Sequence, residues 1–187
     1  QYHFSPVGFD LVGDKIKVKQ AFAVHIDQLR PKSRGQVLLN RDNIKGKPLI
    51  QFNYLEHSDD MREMLEGVKK ARELFSQPVF DEFRGNETTP GSHIQTDEEL
   101  VKSIRQITET DYHPCGTCRM GYDKMAVVDS ELRVHGVEGL RVVDASVMPK
   151  VTSANLNAPT QMIAARAADY ILGKQQMSPL HARFSFQ

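Results

Sequence analysis

The stretch "ETDYHPCGTCRMGYD", residues 109–123, places the chain's only two cysteines, Cys115 and Cys118, just behind His113. Several chemistries use such a set. With His113 and His135 the cysteines have the spacing of a zinc knuckle, but structural zinc usually pairs two knuckles and the second is missing. A redox dithiol opens a helix behind a strand, whereas "CGTCRMG" has glycines on both sides and no helical period after it. Haem attachment needs histidine directly after the second cysteine, where Arg119 stands. No metal is expected. What remains is two small apolar cysteines in a glycine turn, with His113 either a hydrogen-bonded interior imidazole or a group that exchanges a proton with a substrate.

A second stretch can work with the first. "LRVVDASVMPKVTSANLNAPTQMIAARAADYI", residues 140–171, reads as a strand, an Asp-Ala-Ser turn, a polar loop and a helix. Asn155 and Asn157 fall just before that helix, where exposed backbone N–H groups favour an anion or a partly negative oxygen. Asn157 is equally suited simply to cap the helix.

The remaining elements must hold these two stretches. Residues 1–55 read as β structure: "KIKVKQAFAVHI" alternates at Ile16 and Val18 and again at Phe22, Val24 and Ile26. "QVLL" and "LIQFNYL" follow as short strands separated by polar turns, which predicts antiparallel pairing. A helix is expected from Ser58 as N-cap, with Asp59 and Asp60 at its positive end and a core stripe of Met61, Met64, Leu65, Val68, Ala71 and Phe75. "QPVFDEFRGNETTPG" is a loop with at most one helical turn. Thr96 and Glu99 have capping-box spacing ahead of a second helix buried along Leu100, Ile104 and Ile107. "MAVVD", "LRVHGVEGL" and "RVVDASVMP" read as short extended segments. The last helix is expected from about Ala158 to Leu172, with Pro159 in its first turn, an apolar side of Ile163, Ala164, Ala167, Tyr170 and Ile171, and Gly173 as its stop. Residues 174–187 form an aperiodic tail.

Composition narrows the class. The 187 residues, 40% hydrophobic and 26% charged, suit one domain of α+β type, a mostly antiparallel sheet with flanking helices. Twenty-four basic and twenty-four acidic residues cancel, which speaks against a nucleic-acid groove or a polybasic membrane patch. Two cysteines make no disulfide framework, so a reducing compartment is expected. The longest uncharged run, residues 151–165, is shorter than the roughly 20 residues of a membrane span and is broken by polar residues. The start at Gln1, in the strand-like "QYHF", suggests a piece of a longer protein.

Together, "YHPCGTCRMG", "VVDSELRVHGVEGLRVVDASVMP" and "NLNAPTQMIAARAADYI" resemble the C-terminal signature of the glucose–methanol–choline (GMC) flavoprotein oxidoreductases. "SRGQVLL", "FNYL" and "FRGNETTPGSHIQTDEEL" extend the resemblance upstream and place it nearest the choline-oxidising bacterial members, over residues 1–173. The resemblance implies the substrate-binding half of an FAD enzyme plus its closing, flavin-lining helix. No G-x-G-x-x-G occurs in the chain, so the N-terminal FAD domain is expected to lie elsewhere, as this chain's partner, and the chain alone is not expected to retain FAD.

By the same resemblance, His113 corresponds to the active-site histidine beside the flavin and Asn157 to the second polar catalytic position. Asp144 and Ala145 correspond to a turn whose backbone approaches the FAD ribityl–phosphate chain. Asn155, Pro159 and Thr160 correspond to the loop and helix start at the pyrimidine edge of the flavin. The implied activity is oxidation of a primary alcohol, choline to betaine aldehyde, in the cytoplasm or at the inner face of a bacterial membrane. The resemblance leaves the electron acceptor open. The alternatives are another primary alcohol, or a non-catalytic domain when the chain stands alone.

Overall fold

The structure, a computed structural model, describes residues 1–12, 15–178 and 180, with the side chains of residues 9–12, 15 and 16 left out. The alternation expected at Ile16, and residues 179 and 181–187 of the expected tail, therefore lie outside the described residues. The chain divides into two compact units, residues 1–112 and 113–187. Among the described residues no helix is long and apolar enough to cross a membrane.

The first unit is the α+β part, built as expected from short antiparallel ladders and helices. β1 (Tyr2–Ser5) pairs with β4 (Ala23–Ile26), β2 (Gly8–Val12) with β3 (Lys15–Lys19), and β5 (Gln36–Leu38) with β6 (Leu49–Gln51), all antiparallel. Val24 and Ile26 are half-buried and His25 is exposed, the alternation the sequence predicts. α1 (Ser58–Phe75) turns its methionine stripe inward: Leu55, Met61 and Ile104 form a core, joined by Met64, Leu65, Val68 and Val101. Gly67 lets β4 approach the helix, since a Cβ there would meet Ile26 Cγ2 at 2.7 Å. Tyr2 closes the same contact by donating its hydroxyl to Gly67 O at 3.1 Å. Phe22 packs on Phe75 with ring centroids 4.9 Å apart, and Phe80, from a single helical turn at Pro78–Phe80, meets Phe75 at 5.2 Å.

The start of α1 differs from expectation. Ser58 is the first helical residue, and the cap is His57, whose Nδ1 accepts the Asp59 N–H at 3.2 Å. The Ser58 hydroxyl is thus one residue too late to cap, and the cap's contribution belongs to position 57. α2 (Asp97–Ile107) starts as its sequence predicts: Thr96 Oγ1 accepts from Glu99 N at 3.2 Å, and Glu99 Oε2 accepts from Thr96 N at 3.1 Å. Those N–H bonds, with one from Gln95, hold the Glu99 carboxyl below its ordinary range. Thr96→Ala is expected to lower stability by about 1 kcal/mol, measured by urea unfolding. Leu100 and Ile104 are buried, but Ile107, at the frayed last position, is 48% exposed.

Among its described residues the second unit has no regular sheet. Its extended segments touch through isolated bridges, Met120 to Val128, Val128 to Val134 and Arg133 to Arg141. Val128, Leu132, Val147 and Ala167 form its core, with Met120, Val127, Val134, Val142, Val143 and Ile163 packed around it. α3 (Asn157–Ile171) reaches the core through Ile163 and Ala167 and Tyr170 is half-buried, while Ala164 and Ile171, expected on the same side, are exposed. Gly173, at φ 63°, ends the helix: its N–H reaches Tyr170 O and the Lys174 N–H reaches Asp169 O, closing the last carbonyls as the sequence predicts.

Candidate active site

All seven residues singled out in the sequence fall in the second unit. Two tethers fix the segment that carries His113. Cys118 N donates to Ser146 O at 3.0 Å and Met120 N to Val147 O at 2.8 Å, so "CGTCRMG" lies against the "DASV" turn. Gly116 is required there: its φ is +91°, and a Cβ would come within 3.4 Å of Met148 O. Arg119 grips Asp123 through two bonds of 2.8 and 2.6 Å, closing the next turn and driving the Asp123 carboxyl far below its ordinary range. Cys115 and Cys118 are half-buried and form no disulfide.

The turn at Ala145–Val147 is a single helical turn capped by Asp144, which accepts the Ser146 N–H at 2.8 Å and the Ser146 hydroxyl. The Asp144 carboxylate thus serves its own turn. Asp144 is exposed and Ala145 half-buried.

Asn155 is the residue brought to His113. The Asn155 Nδ2 and His113 Nε2 lie 3.0 Å apart across 42 residues of sequence, with the imidazole half-buried and the carboxamide exposed. Asn157 stands at the first position of α3, where its Oδ1 accepts from Gln161 at 3.1 Å. It does not cap the helix. Leu156 occupies the cap position in a helical backbone conformation and offers no side-chain bond. Thr160 donates both its N–H and its hydroxyl to Leu156 O, at 3.0 and 2.6 Å, so that hydroxyl is used within the helix. Pro159 has no N–H, and Leu156 gives no side-chain cap, so among the described residues the N–H groups of Asn157 and Ala158 meet no capping side chain at an exposed helix start.

This set suits a particular kind of guest. A fifteen-residue helix with an uncapped amino end attracts a partly negative oxygen, and the imidazole–carboxamide pair beside it offers both a proton acceptor and a donor. The oxygens at the pyrimidine edge of a flavin, together with an alcohol hydroxyl, match those groups.

The sequence model of the GMC oxidoreductase family matches residues 31–164, which include the His113 segment, the Asp144 turn and the start of α3. The chain belongs to the GMC oxidoreductase family. Relatives of this GMC chain include the oxygen-dependent choline dehydrogenase of Escherichia coli O45:K1, 46% identical over 98% of this chain and 33% of the relative. The oxygen-dependent choline dehydrogenase of Brucella ovis is 47% identical over 95% of this chain and 33% of the relative. Among solved structures, the formate oxidase of Aspergillus oryzae, a structure concerned with modification of its FAD, superposes with a TM-score of 0.77 at 28% identity, covering 88% of this chain and 28% of that one. The GMC chain thus spans about a third of the length of the curated relatives it matches.

The pairing of Asn155 with His113 is the feature that residue-by-residue reading missed, because Asn157 was the carboxamide expected to work with the imidazole. The sequence carries no signal for it: "NLNAP" offers two carboxamides, and only the fold leaves Asn155 on the loop and puts Asn157 in α3.

Proposed function

We propose that this GMC chain is the substrate-side part of an FAD-dependent alcohol oxidoreductase that oxidises a primary alcohol to an aldehyde, with choline as the substrate and betaine aldehyde as the product. One observation carries the reading: His113 and Asn155 meet at 3.0 Å just ahead of the uncapped start of α3. Similarity to choline dehydrogenases at 46–47% identity supports choline within the class.

Oxidising an alcohol removes a hydroxyl proton and a carbon-bound hydride. His113 takes the proton, because a neutral imidazole offers a lone pair near physiological pH. The carboxamide N–H of Asn155, the one that meets His113, holds the oxygen as negative charge builds on it. When bound, FAD supplies the two-electron acceptor for the hydride. The Asn157 and Ala158 N–H groups at the start of α3 would help hold that group, since the helix dipole there favours negative charge. Asp144 and Ala145 form the turn that would back the cofactor's ribityl–phosphate part, Pro159 presets the first helical turn, and Thr160 locks it through Leu156 O. The FAD phosphates and the remainder of the cofactor site are assigned to an N-terminal FAD domain outside this chain.

Steady-state turnover of the full-length, FAD-loaded enzyme tests the reading. Choline is expected to give the highest kcat/KM among choline, aliphatic and aromatic primary alcohols. A higher value for an uncharged alcohol would move the assignment to another GMC substrate, and no oxidation of any alcohol would remove it.

A further inference from the structure

The first unit gathers three ligand-type side chains that the chemistry above does not use. Side chains alternate along a strand, so Gln1, His3, His25 and Asp27 fall on one face of the β1–β4 ladder. Asp27, just past β4, lies opposite Gln1, tied by Gln1 N to Asp27 O at 2.8 Å and by Asp27 N to Gln1 O at 2.9 Å. That register makes His3 its diagonal neighbour, and His3 Nε2 stands 2.8 Å from Asp27 Oδ2. Asp111, four residues beyond the end of α2, completes the set. One ligand atom from each of the three lies within 4.8 Å of the others.

The contact between His3 and Asp27 is not a hydrogen bond. Asp27 Oδ2 is buried and, among the described residues, has no hydrogen-bond partner. His3 Nε2 lies 2.8 Å from Gln1 Nε2, and an amide nitrogen only donates, so the imidazole nitrogen carries its lone pair. A carboxylate oxygen and a lone-pair nitrogen this close repel each other unless a positive charge meets both. Asp111 brings a second negative charge to the same point. Ligand atoms about 2.1 Å from one ion stand about 3.0 Å apart when they meet at a right angle, close to the His3–Asp27 spacing.

We propose that His3, Asp27 and Asp111 form a site for a divalent transition-metal ion of the zinc class, which ties β1 and the end of β4 to the segment behind α2. Two carboxylates and a neutral imidazole cancel the ion's charge. An imidazole ligand favours such an ion over Mg²⁺ and Ca²⁺, which take oxygen. The ion replaces the Gln1 amide at Nε2; Gln1 is exposed, so its side chain has room to turn aside. Asp111 is exposed as well, and its rotation closes the remaining gap. Three protein ligands leave a fourth position for water. Cys115 and Cys118 take no part, and the site is independent of the alcohol-oxidation reading.

Isothermal titration of the metal-free, FAD-loaded full-length enzyme with Zn²⁺ tests the site. Wild type is expected to bind one ion per chain here. Asp111→Asn keeps the size of an exposed loop side chain and removes its charge. It is expected to weaken binding at least about 10-fold, since residues that merely orient a metal ligand are already worth about 10- to 100-fold. His3→Gln and Asp27→Asn are expected to weaken it likewise, and Cys115→Ser to leave it unchanged. Should either of the first two not fold, the exposed Asp111 variant carries the test. Mg²⁺ at the same concentration is expected not to displace Zn²⁺. No Zn²⁺ uptake by wild type overturns the proposal, and the His3–Asp27 contact is then an imidazolium–carboxylate pair. Binding that survives undiminished in Asp111→Asn, or that disappears in Cys115→Ser, puts the ion elsewhere and overturns it too.

Discussion

His113→Ala in the FAD-loaded enzyme is expected to lower kcat/KM for the alcohol by about 10²–10⁴, the range that a positioned general base contributes. Alanine leaves the hydroxyl proton with no acceptor but water. The loop itself should survive the change. It is tethered by Cys118 and Met120 to the Ser146 and Val147 carbonyls, and among the described residues the His113 side chain contributes its bond to Asn155. FAD content and unfolding midpoint are therefore expected to match wild type, while the pH limb that reports ionisation of the base disappears from the rate profile. Stopped-flow reduction of the flavin by substrate isolates the step. Wild-type reduction rates in the variant would take His113 out of the chemistry, whereas loss of both FAD and rate would mean that the residue holds the fold.

The parts of this chain legible from sequence are those whose physics is local. The capping box of Thr96 and Glu99 needs three residues of context, and the Gly173 stop needs a single positive φ. The Met61 to Phe75 stripe is legible because burial repeats with the helical period. Local preference favours Ser over His as the cap of α1, but the backbone is extended at His57 and already helical at Ser58, so the cap falls on His57. Long-range pairings left no trace. Nothing in "NLNAP" says that Asn155 rather than Asn157 meets a histidine 42 residues earlier. The exposure of Ala164 and Ile171 on α3 was equally hidden, since apolar spacing reports what a face is able to bury and not what covers it. The choice of His113 as a catalytic candidate came from motif resemblance, because a lone histidine in a glycine turn fits a structural role as well.

Asp60 shows the same limit and gives the largest expected stability effect. In sequence it reads as one of two acidic residues favouring the start of α1. In the structure it is buried, 1% exposed, and faces away from the solvent side of the helix. Its Oδ1 accepts the Lys32 N–H at 2.8 Å, and its Oδ2 accepts the Ser33 N–H at 2.7 Å and the Ser33 hydroxyl. One carboxylate thus pins the "PKSRG" turn to α1, while Asp59 takes the exposed ion pairs with Lys32 and Arg62. Burial pushes the Asp60 carboxyl up, but the Ser33 hydroxyl and the Lys32 and Ser33 N–H groups together outweigh it and hold it below the ordinary carboxylate range. Asp60→Asn points an amide at donors that need an acceptor, and is expected to cost about 3 kcal/mol at pH 7, the scale for stranding buried donors of a charged acceptor. A depressed folded value means that the charge stabilises the fold above the unfolded carboxyl's pKa of about 3.9 and ceases to do so as pH falls through the folded value. Urea unfolding at pH 7 and again below pH 4 is therefore expected to show the gap between wild type and Asp60→Asn narrowing in acid, because wild type loses what the variant never had. An equal gap at both pH values would mean that shape, and not the carboxylate's charge, holds the turn.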